Sequence, residues 1–388
     1  MGRRTLWLAG SIAAVALAAP AQPTLAGKAS VADLARRAMA ETGAKGLAIA
    51  VIDYGQVRSV QAFGARNSKG QPLTPATVMY GASLTKTLFA YYALMLVDEG
   101  KLALDRPVAK LLPRPLPDYG NLDDYGSWGD LAGDERWRRI TPRHILTHSS
   151  GFANFSFLEP GGKLRFHFEP GTRYAYSGEA MMLLQFALDE GLKLNTGTEL
   201  QRRIFAPLGM TSTSLEWRAD FALNLADGWR ADGSIEPHDE RSRVRVAGSM
   251  DTTISDLARF AAAMARGWGL SKRSRFTLSQ PQLPITTRQQ FPTLASEVAP
   301  NERWPGLAAG LGVITFNGPQ GRGFFKGGHN DSTGNTLVCL EARRRCVLIL
   351  ANDVRAEAAF PGLVRAILGE TGVPYEWEYP GLSPLKRN

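Results

Sequence analysis

The chain has 388 residues, 44% of them hydrophobic and 21% charged, with a formal net charge of +9. That composition is globular: it excludes a disordered tail or a fibrous repeat and allows a large core or two packed subdomains. The positive charge is scattered apart from Arg343-Arg344-Arg345 and accompanies no nucleic-acid motif, so nucleic acid is not an expected partner.

Residues 1–26 read as a secretory signal peptide. Arg3 and Arg4 precede a mostly apolar run from Leu6 to Ala19, and Ala19-Pro20-Ala21 or Thr24-Leu25-Ala26 offers a small-residue cleavage site. The run is shorter than the roughly 20 residues that span a bilayer. A periplasmic or secreted protein with no stable membrane span after cleavage is therefore expected, and residues 27–388 form the mature chain.

Residues 31–41 predict a helix with Ser30 as its N-cap. Residues 46–53 predict a buried strand, paired across Tyr54-Gly55 with a hairpin partner at Gln56 to Gly64. Ser83 to Gly100 carries apolar residues at helical spacing and stops at a glycine. From about Leu104 to Phe260 the apolar segments are helical or irregular. Strand patterns return at Leu311 to Phe316, Gly323 to Gly327, Thr336 to Leu340 and Cys346 to Ala351, before a last helix from Phe360 to Gly369. The economical architecture is an α+β fold. Both ends of the chain (about 27–103 and 261–388) build one antiparallel sheet flanked by helices, and a mostly helical subdomain (about 104–260) is inserted between them. The site is expected where the two parts meet.

Three short segments carry chemistry. In Ser83-Leu84-Thr85-Lys86 the serine and lysine stand at i and i+3 on a helix, where they share a face. A neutral lysine can take the serine proton, and the helix N-terminus favours an oxyanion. The plain alternative is an N-cap serine beside a solvated lysine. In Tyr174-Ala175-Tyr176-Ser177-Gly178, a tyrosine beside the nucleophile can relay a proton to the leaving group. Phe324-Phe325-Lys326-Gly327-Gly328-His329 reads as a strand entering a glycine-rich bend, where a substrate can approach the backbone.

In that order, Ser-x-x-Lys, a Tyr-centred motif and Lys-x-Gly together resemble the penicillin-recognising serine hydrolases, which include class C β-lactamases, DD-peptidases and related carboxylesterases. The segments Ile140 to Gly151, Phe205 to Met210 and Thr252 to Phe260 resemble further landmarks of that family, so the likeness spans about residues 30 to 370. It implies a β-lactamase-like fold and an acyl-enzyme mechanism without metal or organic cofactor. By that resemblance Ser83 is the nucleophile, Lys86 its paired amine and Tyr176 the proton carrier. Lys326 supplies positive charge near a substrate carboxylate, Gly328 lets substrate approach the strand, and the N–H groups of Ser83 and His329 form the oxyanion hole. Two positions depart from the pattern. Gly178 stands where the family often has Asn, and Glu179 cannot be assumed to replace it. Gly327 stands where Thr or Ser is common, which removes a hydroxyl that would bind a carboxylate.

The expected reaction is hydrolysis of a small ester, amide or peptidoglycan-like substrate. The rivals are a β-lactamase or D-alanyl-D-alanine carboxypeptidase proper and, from another class, a non-catalytic cell-wall or ligand-binding protein on the same fold. His144 and His148 have the i, i+4 spacing of paired zinc ligands, but Ile145 stands where a zinc hydrolase needs Glu, so both are expected to be structural. The Trp and Tyr between 119 and 137 are expected to pack the insertion. Cys339 and Cys346 face each other if Leu340 pairs with Arg345 in a hairpin, and are then a candidate disulfide.

Overall fold

The computed structural model describes Gly2 and residues 29–380, so the expected leader lies outside the described residues. Helix α1 (Val31–Thr42) begins at Ser30, whose hydroxyl accepts a hydrogen bond from the Asp33 N–H at 3.1 Å, and ends at Gly43 in the left-handed region. Strands β1 (Gly46–Asp53) and β2 (Gln56–Gly64) follow. They are joined by Tyr54 and Gly55, both at positive φ as a two-residue hairpin with right-handed twist requires.

The remaining strands of the main sheet come late: β3 (Leu283–Pro284), β4 (Ala308–Ala309), β5 (Ile314–Gly318), β6 (Gly321–His329), β7 (Gly334–Leu340) and β8 (Arg345–Ala351). The order across the sheet is β2-β1-β8-β7-β6-β5-β4-β3, and the pairing is antiparallel throughout. β1 is thus an interior strand next to the β2 edge, with Leu47 opposite Ala351 and Ile52 opposite Cys346. Both ends of the chain build the sheet, as expected. In the β7–β8 hairpin Leu340 faces Arg345, and Cys339 faces Cys346 with the Cα atoms 4.1 Å apart and the sulfurs joined at 2.07 Å.

Both faces of the sheet are covered. Ala48, Ala50 and Ile52 of β1 point into a core with helices α2 (Leu84–Asp98) and α5 (Ile254–Arg266). Leu47 and Ile49 point the other way, toward α1 and α6 (Phe360–Leu368). α5 runs across residue 260, where the inserted subdomain was expected to end. α2 is buried along its whole first three turns, Leu84 to Leu96. Each Leu or Phe buried in it contributes about 1.5–3 kcal/mol, so the helix that carries Ser83 is anchored deep in the molecule. The segment between α2 and α5 holds α3 (Pro142–Leu146), α4 (Gly178–Phe186) and many short helical turns. Trp128 and Trp137 pack in its core, and Tyr119 and Tyr125 pack on Phe186. A short helix, α7 (Tyr375–Glu378), returns against the sheet after α6. No helix among the described residues is long and apolar enough to cross a membrane.

Candidate active site

Ser83 stands immediately before α2. It follows Ala82, a non-glycine residue held at φ 46, so the chain turns sharply and presents the serine at the helix N-terminus. Ser83 makes no side-chain capping bond, and Lys86 is only 1% exposed, which rules out the N-cap serine with a solvated lysine. Lys86 Nζ lies 3.0 Å from Ser83 Oγ and also donates to the Ala247 carbonyl. Burial, and after it the charge of Lys326, holds the Lys86 ammonium well below the usual lysine range, toward the neutral amine.

Tyr176 comes from the segment just before α4, whose N-cap is Ser177. Its hydroxyl donates to Ser83 Oγ at 2.7 Å. Burial pushes the phenol above the ordinary tyrosine range, and the bond to Ser83 only partly opposes this. The Tyr176 ring is sandwiched by neighbours. His148 stacks on it with centroids 4.5 Å apart, Phe291 meets it edge-on at 5.0 Å, and Lys86 and Lys326 place their ammonium groups 4.9 and 5.0 Å from its centre.

β6 closes the other side. Lys326 is buried and donates to the Gly327 carbonyl at 2.8 Å; its pKa is lowered, mainly by burial. Gly328 faces the start of α2: a Cβ there would lie 3.0 Å from the backbone nitrogens of both Ser83 and Leu84. The missing side chain therefore lets the strand reach the helix N-terminus. At His329, burial would lower the pKa, but the hydrogen bond and charge of Glu357 raise it, with Nδ1 3.3 Å from the carboxylate. The cleft in front of Ser83 has a volume of about 780 Å³, and Phe155, Phe157, Tyr176 and Phe291 give it an aromatic wall. Thus Ser83, Lys86, Tyr176, Lys326, Gly328 and His329 are brought together. The cysteine pair lies on the strands behind β6.

Gly178 is different. It opens α4, and a Cβ there would lie 2.2 Å from the Phe155 ring, so an aromatic side chain fills the space that an Asn at this position would need. Glu179 does not substitute: its buried carboxylate accepts from the Ser156 N–H at 3.2 Å. His144 completes a capping box with Thr141 at the start of α3, while His148 buttresses Tyr176. Among the described residues no group of three or more His, Cys, Asp or Glu could hold a metal ion.

Sequence reasoning missed three participants: Phe155, the Ala247 carbonyl and Glu378; His148, expected to be structural, packs on the Tyr176 ring. Glu378 arrives from α7, is 4% exposed, and its Oε1 occupies the space beside Gly327. The Glu378 carboxyl is raised above the usual carboxylate range, mainly by burial. The absent side chain at Gly327 is the one sequence signal that something else fills that place.

Comparison with known proteins places this geometry. Residues 31–369 match the family model described as Beta-lactamase. Among curated proteins, Monacolin J acid methylbutanoyltransferase of Aspergillus terreus is 30% identical over 202 residues, covering 45% of this chain and 48% of its own. Esterase EstB of Burkholderia gladioli is 30% identical over 190 residues, covering 49% and 41%. The chain spans about half the length of the curated relatives it matches. Among solved structures, the octameric penicillin-binding protein homologue from Pyrococcus abyssi superposes with a TM-score of 0.68 at 20% identity, covering 89% of this chain and 78% of that one. The D-alanine carboxypeptidase AmpC from Burkholderia cenocepacia also gives 0.68 at 20% identity, with 87% and 97% covered. These structures share the fold, and the family match spans nearly the whole described chain: the protein belongs to the beta-lactamase family.

Proposed function

We propose that this protein is a serine hydrolase that forms an acyl-enzyme on Ser83 and hydrolyses a small ester or amide. The observation that carries the reading is the placement of two proton-handling groups on one hydroxyl: Lys86 Nζ at 3.0 Å and the Tyr176 hydroxyl at 2.7 Å from Ser83 Oγ, both buried.

Lys86 as the neutral amine takes the Ser83 proton as Oγ attacks the carbonyl carbon. The tetrahedral oxyanion sits between the N–H groups of Ser83 and His329, at the positive end of α2. Lys86 then returns the proton through the Tyr176 hydroxyl to the leaving oxygen or nitrogen, the carbonyl–leaving group bond breaks, and an ester is left on Ser83. Water adds by the reverse path and releases the acid. Tyr176 with a raised pKa serves this scheme as a neutral relay; the base is Lys86.

The aromatic cleft fits a substrate with an apolar portion, and the relatives named as esterases and acyltransferases favour an ester. Peptide-like substrates, including cell-wall fragments, fit less well because Gly178 and Gly327 remove two polar side chains from the site. Export is part of the proposal. The leader-like residues 1–26 support it, and so does the pairing of Cys339 with Cys346, which belongs in an oxidising compartment.

The decisive experiment is labelling with a serine-directed fluorophosphonate followed by mass spectrometry. An adduct on Ser83, together with hydrolysis of p-nitrophenyl esters that Ser83→Ala abolishes, is the expected result. Folded protein without an adduct or turnover would return the molecule to the class of non-catalytic binders.

A further inference from the structure

We infer that Glu378 sets the charge preference of this site: its carboxylate holds the place beside Lys326 that a carboxylate-bearing substrate would need, so the site takes esters that are uncharged where they meet β6. The inference rests on the serine hydrolase reading and names the substrate class for it.

Three observations converge on Glu378. A Cβ at Gly327 would lie 2.1 Å from Glu378 Oε1 and 2.6 Å from the Tyr379 hydroxyl, so these two side chains occupy the volume of any side chain at 327. The Gly327 backbone N–H lies close enough to the same carboxyl to lower its pKa slightly, against the larger effect of burial. Glu378 Oε2 is buried and has no hydrogen-bond partner. Such an orphaned oxygen is retained at a cost unless it faces a polar space. It does so here: a cavity of about 20 Å³ is walled by Ser83, Tyr176, Lys326, His329, Glu378 and Tyr379. That space has room for about one water-sized group, so Glu378 leaves little volume beside Lys326 at the inner end of the cleft.

The electrostatics point the same way. Lys326 and His329 are the cations that act on Glu378, with Glu357 the further anion facing it. Lys326 thus already has an internal anion within electrostatic reach, while Arg241, Arg243 and Arg245 line the wider cleft. A second carboxylate entering next to Glu378 would meet a like charge in a poorly solvated space. Glu378 and Tyr379 lie outside residues 31–369, the span that matches the family, so this device comes from the chain's own C-terminal segment.

The test compares wild type with Glu378→Gln, which keeps the shape and removes the charge. At about pH 7.5, kcat/KM is measured for phenyl acetate and for 3-acetoxybenzoate, the same ester with a carboxylate on the leaving group. Wild type is expected to favour phenyl acetate by about tenfold or more, and in the variant the ratio of kcat/KM for 3-acetoxybenzoate to that for phenyl acetate is expected to rise about tenfold, mostly through KM. Calorimetric binding of the two released phenols, phenol and 3-hydroxybenzoate, reads the same discrimination without turnover. A gain for the anionic partner below about threefold in both measurements, in a variant that still unfolds cooperatively, overturns the inference. So does a wild type that does not discriminate, which covers a variant that fails to fold. If wild type hydrolyses neither ester, it is the hydrolase reading that falls, and the binding ratios still decide the role of Glu378.

Discussion

The two walls of the cleft are built on different terms. On the α2 side, Ser83 and Lys86 stand about one helical turn apart at the start of a helix buried along three turns, and Tyr176 reaches the same oxygen from the segment before α4. On the β6 side, the strand contributes a lysine and two glycines, and distant segments complete the wall: Glu378 and Tyr379 fill the space at Gly327. Phe155 does the same at Gly178, across the cleft. The Ser83–Lys86 pair in the first wall is set by local helix geometry, with Tyr176 added from a distant segment, an arrangement that few substitutions could preserve. The second is a set of vacancies and the side chains that occupy them, which can change together without disturbing the reacting groups. On the proposed reading, the difference separates the part of the site that makes a bond from the part that chooses which bond to make.

The sharpest way to break the comparison is at the nucleophile. Ser83→Ala should lower kcat/KM for p-nitrophenyl esters by about 10⁴-fold or more while the protein still unfolds cooperatively, with a modest change in the unfolding midpoint, because the helix loses no cap although Lys86 and Tyr176 lose a shared acceptor. Retained esterase activity would show that the α2 wall is not where the chemistry happens.

Next come Lys86→Ala and Tyr176→Phe, each expected to cost about 10²-fold or more in kcat. Because both act on one oxygen, the double variant should lose far less than the product of the single losses. Strict multiplication of the two losses would mean that they serve separate steps.

The vacancies are tested through their occupants. Gly178→Asn should destabilise the fold by about 1–3 kcal/mol, since its side chain must displace the Phe155 ring. Adding Phe155→Ala should recover most of that loss in a denaturant titration. If the single variant is as stable as wild type, Phe155 is a movable neighbour and the space at 178 is not truly filled.

The smallest expected effect links the two walls. Protonated Lys86 is disfavoured by burial and then by the charge of Lys326. If neutral Lys86 is the base, activity rises with pH as Lys86 loses its proton. Lys326→Met removes a nearby positive charge, makes the ammonium of Lys86 easier to form and so raises its pKa. The acidic limb of the kcat/KM profile should move to higher pH by about half a unit or more. A limb that stays put, or moves to lower pH, would uncouple the walls electrostatically.

What could be read from the sequence follows the same division. The β1–β2 hairpin, α2 and the β7–β8 register were legible because each is specified by residues a few positions apart: Tyr54-Gly55 at the turn, apolar spacing closed by Gly100, and a four-residue polar loop that sets Cys339 opposite Cys346. The spacing of Ser83 and Lys86 is likewise a local fact of helix geometry. Strands β3 and β4 escaped notice because two residues carry no alternation. Glu378 and Phe155 escaped for a deeper reason. Their positions relative to the site are tertiary, and a carboxylate in a short acidic segment or a phenylalanine in an irregular loop has no pattern that announces its neighbour. Only the glycines at 178 and 327 marked those places, by what they lacked.

The position of β1 between β2 and β8 carries a consequence for how the molecule assembles. Its partner on one edge, β2, is available at once through a two-residue turn, but the other edge must wait for β8, some three hundred residues away in sequence. Contacts of such sequence separation close large loops and slow folding. Until β8 docks, β1 presents an unpaired apolar edge, the kind of surface that recruits a second chain. Refolding yield should therefore fall as protein concentration rises, with aggregation competing against the arrival of β8.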